Sequence, residues 1–321
     1  MLKTLRLKNF PISFYAIVLG LAGFTVAWQK AEETFNINYG ISSFVFIIML
    51  LLFILFSFLY LYKWKKFPDE VKTEFNNPIK INFYPIIAKV FLLISIILLG
   101  FEMEYYSKIS WIIGVILQFG FTLVIMSFWM HKDKFELKHI SPALFIPIVG
   151  NILIPIAGVA HFSPEISWFF FSIGFFLWII FTIIVFNRII FHQPLPEKLI
   201  PTFFILMAPP AIGFIAYVKL TGSVDVFAKL MYYFSLFLFI VLLSQVKYFG
   251  KIKFFLSCWA YSFPLDAFVI ATIFMFHQTK WVFMSYLAQA AFFLLNLVII
   301  FLTYSTIKAI SNKQICVEEN E

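Results

Sequence analysis

Ten continuous apolar runs of about 20 residues dominate the chain of 321 residues, and they restrict it to one class of fold. A run of that length with few internal charges matches, as a helix, the hydrocarbon thickness of a bilayer. Backbone N–H and C=O groups find no water in lipid, so only helices and closed barrels cross it. The runs do not alternate with period two, which excludes a barrel. Hydrophobic residues make up 62% of the chain and charged residues 12%, too little polar surface for water to solvate. The expectation is an all-α integral membrane protein, with residues 1–321 forming a single transmembrane domain.

The runs place spans at 10–28, 41–62, 82–101, 109–130, 142–160, 165–187, 200–218, 226–246, 254–276 and 281–307. Connections are short, so successive spans pair as antiparallel hairpins. Lys3, Arg6 and Lys8 before the first run mimic a signal peptide. That run is long for one and has no convincing small-residue cleavage site, so it is read as a retained helix. Eighteen of the 24 Lys and Arg residues lie at the two ends or in connections that follow even-numbered spans. Lys30, Lys108, Lys219, Lys229 and Lys280 lie on the other side, and Lys89 falls inside the third span. The asymmetry predicts both termini in the cytoplasm and a multi-pass protein of the cell (inner/plasma) membrane. It also accounts for the net charge of +8 with no nucleic-acid partner. Cys258 lies in an apolar run and Cys316 in the tail, so no structural disulfide is expected.

Prolines divide the spans into two sets. Pro11, Pro85, Pro142, Pro147, Pro155, Pro201, Pro209, Pro210 and Pro264 all belong to odd-numbered spans. Spans two, four, eight and ten hold none, and Pro164 only precedes the sixth. Proline removes an N–H and clashes with the preceding turn, so it kinks a helix and frees a carbonyl. Freed groups must face protein or a watery cavity. The pattern predicts ten transmembrane helices as five hairpins around a central pore, with odd helices inner and kinked and even helices outer. The second span, SSFVFIIMLLLFILFSFLYLY, suits a lipid-facing helix. The fifth, PALFIPIVGNILIPIAG, carries Gly150, Asn151 and Gly158 and suits close packing or a pore wall.

The segments FPISFYAIVLGLAGFTVAW at 10–28, NPIKINFYP at 77–85, PALFIPIVGN at 142–151, IPTFFILMAPPAIGFIAY at 200–217 and WAYSFPLDAF at 259–268 run in order along the chain. Together they resemble the tellurite-resistance/dicarboxylate transporter family, the TehA-like proteins and plant slow anion channels among them. The resemblance implies five helical hairpins around a pore, a homotrimer in the lipid bilayer, and transport of nitrate, chloride, sulfite or small dicarboxylates. It also implies that a phenylalanine of the ninth span, here Phe263, narrows the pore and gates it. The chain has 46 phenylalanines, and only the resemblance singles this one out.

Several further residues are candidates for the pore wall. Lys89 is the basic residue inside a span; it either draws anions inward or snorkels to the nearby membrane face. Asp266, one turn from Phe263, would repel an anion, and the family motif has no acid there. Three arrangements are open to it: an ion pair with Lys89, a hydrogen bond to a neighbouring helix, or titration that couples a proton to the substrate. Gly150 and Asn151 are candidates on the fifth span, although a bond between helices is the commoner use of such an asparagine. Pro209, Pro210 and Pro264 are candidates as bends. His131, His139, His161, His192 and His277 fall at helix ends or in loops without metal-ligand spacing. With no GxGxxG, P-loop or triad pattern, no cofactor, metal or enzyme activity is expected. Asp69, Glu70 and Glu74 are interleaved with lysines as on a solvated face. The leading expectation is an anion channel with an aromatic gate. The alternative is a proton-coupled secondary transporter of C4-dicarboxylates, sulfite or tellurium oxyanions.

Overall fold

The computed structural model describes residues 7–37, 39–131 and 136–317; Lys3, Arg6, Lys132 and Lys134 of the charge count lie outside these. Among the described residues, ten helical spans are long and apolar enough to cross a membrane. They are α1 (Ile12–Phe35), α2 (Ile41–Lys66), α3 (Lys80–Gly100), α4 (Glu104–His131), α5 (Pro142–His161), α6 (Pro164–Phe191), α7 (Glu197–Thr221), α8 (Val226–Ser244), α9 (Leu256–Thr279) and α10 (Val282–Ser311). Several run beyond the apolar stretch that marks them. The first continues past Trp28 through the polar Gln29–Glu33 and stops where Asn36 turns left-handed at φ 54°. Polar side chains end the hydrocarbon-compatible stretch but do not end a helix.

The two sets of spans differ in burial. In the apolar part of each odd span 67–83% of residues are buried, against 22–39% in the even spans. Each odd span packs against the even span that follows it. The odd spans also contact one another in sequence, α1 with α3, α3 with α5, α5 with α7 and α7 with α9, and α9 packs back on α1. Contact at the α1–α9 seam depends on glycine. A Cβ added at Gly20 would collide with Ser262, and one at Gly23 with the carboxyl of Asp266. Even spans turn large apolar side chains outward, Ile54, Ile116, Ile183, Phe237 and Ile300 among them.

Most of the prolines stand where the helix type changes. Every odd span opens with a 3₁₀ segment, at Ile12–Phe14, Lys80–Phe83, Pro142–Leu144, Glu197–Met207 and Leu256–Tyr261, and then passes into α-helix. Pro85 is the N-cap of the α-helical part of α3, and Pro209, Pro210 and Pro264 lie in the first α-helical turn of α7 and α9. The N–H that proline lacks has no intrahelical partner in a first turn, so these residues sit where they cost least. Pro155 lies inside the α-helix of α5, and Pro201 inside the 3₁₀ segment of α7.

The ends of α1, α2 and α3 are tied together by a buried acid on the short helix Pro68–Phe75. The Ile12 backbone N–H donates to Glu74 Oε1 at 2.8 Å, satisfying a donor that α1 leaves open at its start. Tyr60 Oη and Lys63 Nζ donate to Oε2 at 2.9 and 2.8 Å, and Lys63 also reaches the Phe10 carbonyl at 2.8 Å. Tyr84 of α3 joins through the Tyr60 hydroxyl at 2.7 Å. The side chains of Lys63 and Glu74 are only 4% and 7% exposed, so the ion pair is buried. Removing one partner leaves the other charged without compensation, a loss of roughly 3–5 kcal/mol. Lys63→Met should therefore lower the thermal unfolding midpoint of the detergent-solubilised protein sharply, whereas Lys72→Met on the outer face of the short helix should leave it unchanged.

Candidate functional site

Every odd span lines a cavity of about 40 Å³, the first four each with two residues three apart on one helical face. The pairs are Gly23 and Val26 of α1, Leu93 and Ile96 of α3, Leu153 and Ile156 of α5, and Ile212 and Ile215 of α7. The ninth span contributes Phe263, Asp266, Ala267 and Ile270. A cavity of this size holds about one water molecule and no hydrated anion. Its surface is wholly apolar, aliphatic apart from the Phe263 ring, and the carboxyl oxygens of Asp266 are buried behind it against Gly23.

Phe263 is the second residue of the α-helical part of α9, at the junction with the 3₁₀ segment. It is 8% exposed and lines the cavity. Phe268, five residues on, is fully buried and stacks on Phe239 of α8 with ring centroids 4.3 Å apart, on the outer side of α9.

Asp266 is 0% exposed, and neither carboxylate oxygen has a hydrogen-bond partner. Lys89 is 2% exposed, four residues before Leu93 on the same face of α3. No hydrogen bond or ion pair joins it to any described residue. Two of the arrangements considered for Asp266, pairing with Lys89 and bonding to a neighbouring helix, are thus not formed.

The other sequence candidates lie elsewhere. Asn151 Nδ2 donates to Thr122 Oγ1 of α4 at 3.0 Å, and a Cβ at Gly150 would run into the Gln118 amide of the same helix. Both residues serve the α4–α5 contact, with Gln118 Nε2 donating to the Pro147 carbonyl at 2.6 Å. Pro209, Pro210 and Pro264 are buried at the 3₁₀-to-α junctions and are not in the cavity wall. The aliphatic pairs carried no signal in a chain that is 62% hydrophobic.

Beyond the cavity, toward the C-terminal ends of the odd spans, the same helical faces become polar. Lys30 lies four residues after Val26, Lys219 four after Ile215 and His277 seven after Ile270. Lys30 Nζ donates to Glu33 Oε2 at 2.6 Å, Lys219 Nζ lies 5.7 Å from the Phe274 ring centre, and Thr34 Oγ1 bonds His277 Nε2 at 2.7 Å.

Residues 9–307 match the family described as voltage-dependent anion channel (SLAC1). An uncharacterised transporter of Methanocaldococcus jannaschii is 27% identical over 289 residues, covering 83% of this chain and 84% of that protein. The S-type anion channel SLAH2 of Arabidopsis thaliana is 30% identical over 278 residues, again 83% of this chain but 53% of the longer plant protein. The tellurite resistance protein TehA homolog of Haemophilus influenzae is 25% identical over 274 residues, 84% of this chain and 83% of that protein.

The placement of Asn151 has a measurable consequence. Asn151→Ala removes a buried interhelical bond worth about 1 kcal/mol and should lower the unfolding midpoint while leaving anion flux and anion preference in vesicles as they are. A change of anion preference with no loss of stability would put Asn151 in the path.

Proposed function

The chain belongs to the voltage-dependent anion channel (SLAC1) family, and from that premise we propose that it conducts small anions along the axis of its five odd-numbered spans, with Phe263 as the gate. Membership puts it among multi-pass membrane proteins that move anions. The observation that carries the finer reading is the axial cavity itself. All five odd spans line it, and the one aromatic ring in its wall is Phe263. With that ring in place the path is closed, and a rotamer change that swings the ring aside opens it. An aliphatic constriction also excludes ions while it is dry and admits them once wetted.

Charge placement supports anions as the cargo. Conduction needs attraction at the mouths and weak binding inside. Lys89 sits toward one end of the path, and Lys30 and Lys219 toward the other, while the middle is aliphatic. The cytoplasmic position of both termini, which rests on the charge asymmetry, and assembly as a homotrimer are parts of the same proposal. Proton-coupled carriage of dicarboxylates, sulfite or tellurium oxyanions is the second reading, and Asp266 is the residue that favours it. Reversal potentials separate the two, because a channel follows the anion gradient alone and a coupled carrier shifts with the pH gradient.

The gate has a direct test. In reconstituted vesicles Phe263→Ala should raise anion conductance at least several-fold, and Phe268→Ala, whose ring stacks on α8, should change it little. An unchanged or lower conductance in Phe263→Ala would remove the gate assignment.

A further inference from the structure

Two acids are buried among the described residues, and the protein treats them in opposite ways. Glu74 has a partner at both oxygens: a backbone N–H at one, a tyrosine hydroxyl and a lysine ammonium at the other. Asp266 is more deeply buried and has none at either. The chain can thus supply a cation and donors where it holds an ionised acid, and at Asp266 it supplies neither. Glycine at 23 leaves the space that this carboxyl occupies, since any Cβ there would displace it.

An ionised carboxylate at this point is uncompensated, and burying such a charge is costly. It would also confront a passing anion with a like charge at the narrowest part of the path. A carboxylic acid removes both problems: it leaves no uncompensated charge in the seam with α1, where the carboxyl lies against Gly23 immediately behind the cavity wall. We propose that Asp266 is a proton-binding site in the permeation path, and that an anion passes the cavity only while Asp266 carries the proton. The inference rests on the conduction reading above. The proton comes from water reaching the cavity, which has room for about one molecule, and returns to water when the site ionises. A metal cation is a poor alternative occupant, because hard cations take about six or more oxygen ligands and the site provides one carboxyl behind an apolar wall.

Other titratable groups near α9 are engaged elsewhere or lie at its ends. On α1, Lys30 and Glu33 bond each other beyond the cavity. On α7, Lys219 lies four residues past Ile215, over Phe274, Tyr217 bonds Asp225, and Glu197 and Lys198 stand at the span's start. Tyr232 of α8 donates to Thr272 and Met284, and Tyr233 and Lys229 are exposed on the same helix. Cys258 and Tyr261 belong to the 3₁₀ turn that leads into α9, and His277 bonds Thr34 at its far end. The tenth span carries Lys308 in its last turn and the exposed Tyr286 and Tyr304. On α3, Lys89 shares the cavity-facing side one turn before Leu93. None of them bonds Asp266.

The test is chloride and nitrate flux in vesicles of the purified protein, measured across a pH series for wild type, Asp266→Asn, Asp266→Thr and Phe263→Ala. Wild-type flux should fall as pH rises, approaching about tenfold per pH unit above the midpoint. Both Asp266 variants should carry flux with no such slope. A readout that needs no variant is the infrared difference spectrum of the wild type: a protonated-carboxyl C=O band should vanish over the pH span in which flux falls. A wild-type pH slope retained in Asp266→Asn and Asp266→Thr, or a flux change with no matching carboxyl band, overturns the proton site. If Phe263→Ala raises flux in that case, the conduction reading stands without it. If neither wild type nor Phe263→Ala carries either anion at any pH, the conduction reading fails and the proton site fails with it.

Discussion

The seam between α1 and α9 completes the circuit of contacts among the odd-numbered spans, and it is a steric arrangement. Gly20 lies against Ser262, and Gly23 against Asp266. Small residues let membrane helices approach until backbones nearly touch, and here that approach brings the last odd span onto the first. The place of Gly23, Val26, Phe263 and Asp266 in the cavity lining follows from it. So does the burial of Asp266, whose carboxyl fills the space that a side chain at 23 would take.

Much of this architecture was legible in the residues, for reasons tied to the solvent. Lipid demands uninterrupted helical hydrogen bonding, so each crossing appears as an apolar run, and Tyr105–Lys108 or Gln29–Glu33 only blur its ends. The concentration of proline in odd spans corresponds to a real difference between the two sets, the 3₁₀ segment that opens every odd span. Pro85 caps its helix and Pro209 and Pro264 occupy first turns, where a missing N–H is harmless, and the irregularity is the 3₁₀ segment before each odd-span helix. Sequence alone does not tell a 3₁₀ turn from the first turn of an α-helix when both are apolar.

The site was less legible. Phe263 is one of 46 phenylalanines, and nothing in its local chemistry separates it from Phe268, which faces the other way. Val26, Leu93, Ile156 and Ile215 are interchangeable with scores of lipid-facing residues until the helices are packed. Asn151 stands out because polar residues are rare in a span, yet its partner is Thr122, and that pairing depends on the rotation of α5. Asp266 was conspicuous for the same reason. Whether it had a partner was a three-dimensional question, and the contrast with the fully bonded Glu74 makes its isolation informative.

The claim on which the rest depends is that the faces of the odd spans, and not the seams between outer helices, line the route of the anion. Cysteine accessibility addresses it most directly. With Cys258 and Cys316 replaced by serine in a Phe263→Ala background, single cysteines would be placed at the axial Leu153, Ile215 and Ile270 and at the outward-facing Ile54, Ile183 and Phe237. The account predicts that a small, charged, membrane-impermeant thiol reagent modifies the axial set and blocks flux, and leaves the outward set untouched. Inert axial cysteines together with block from an outward position would contradict it.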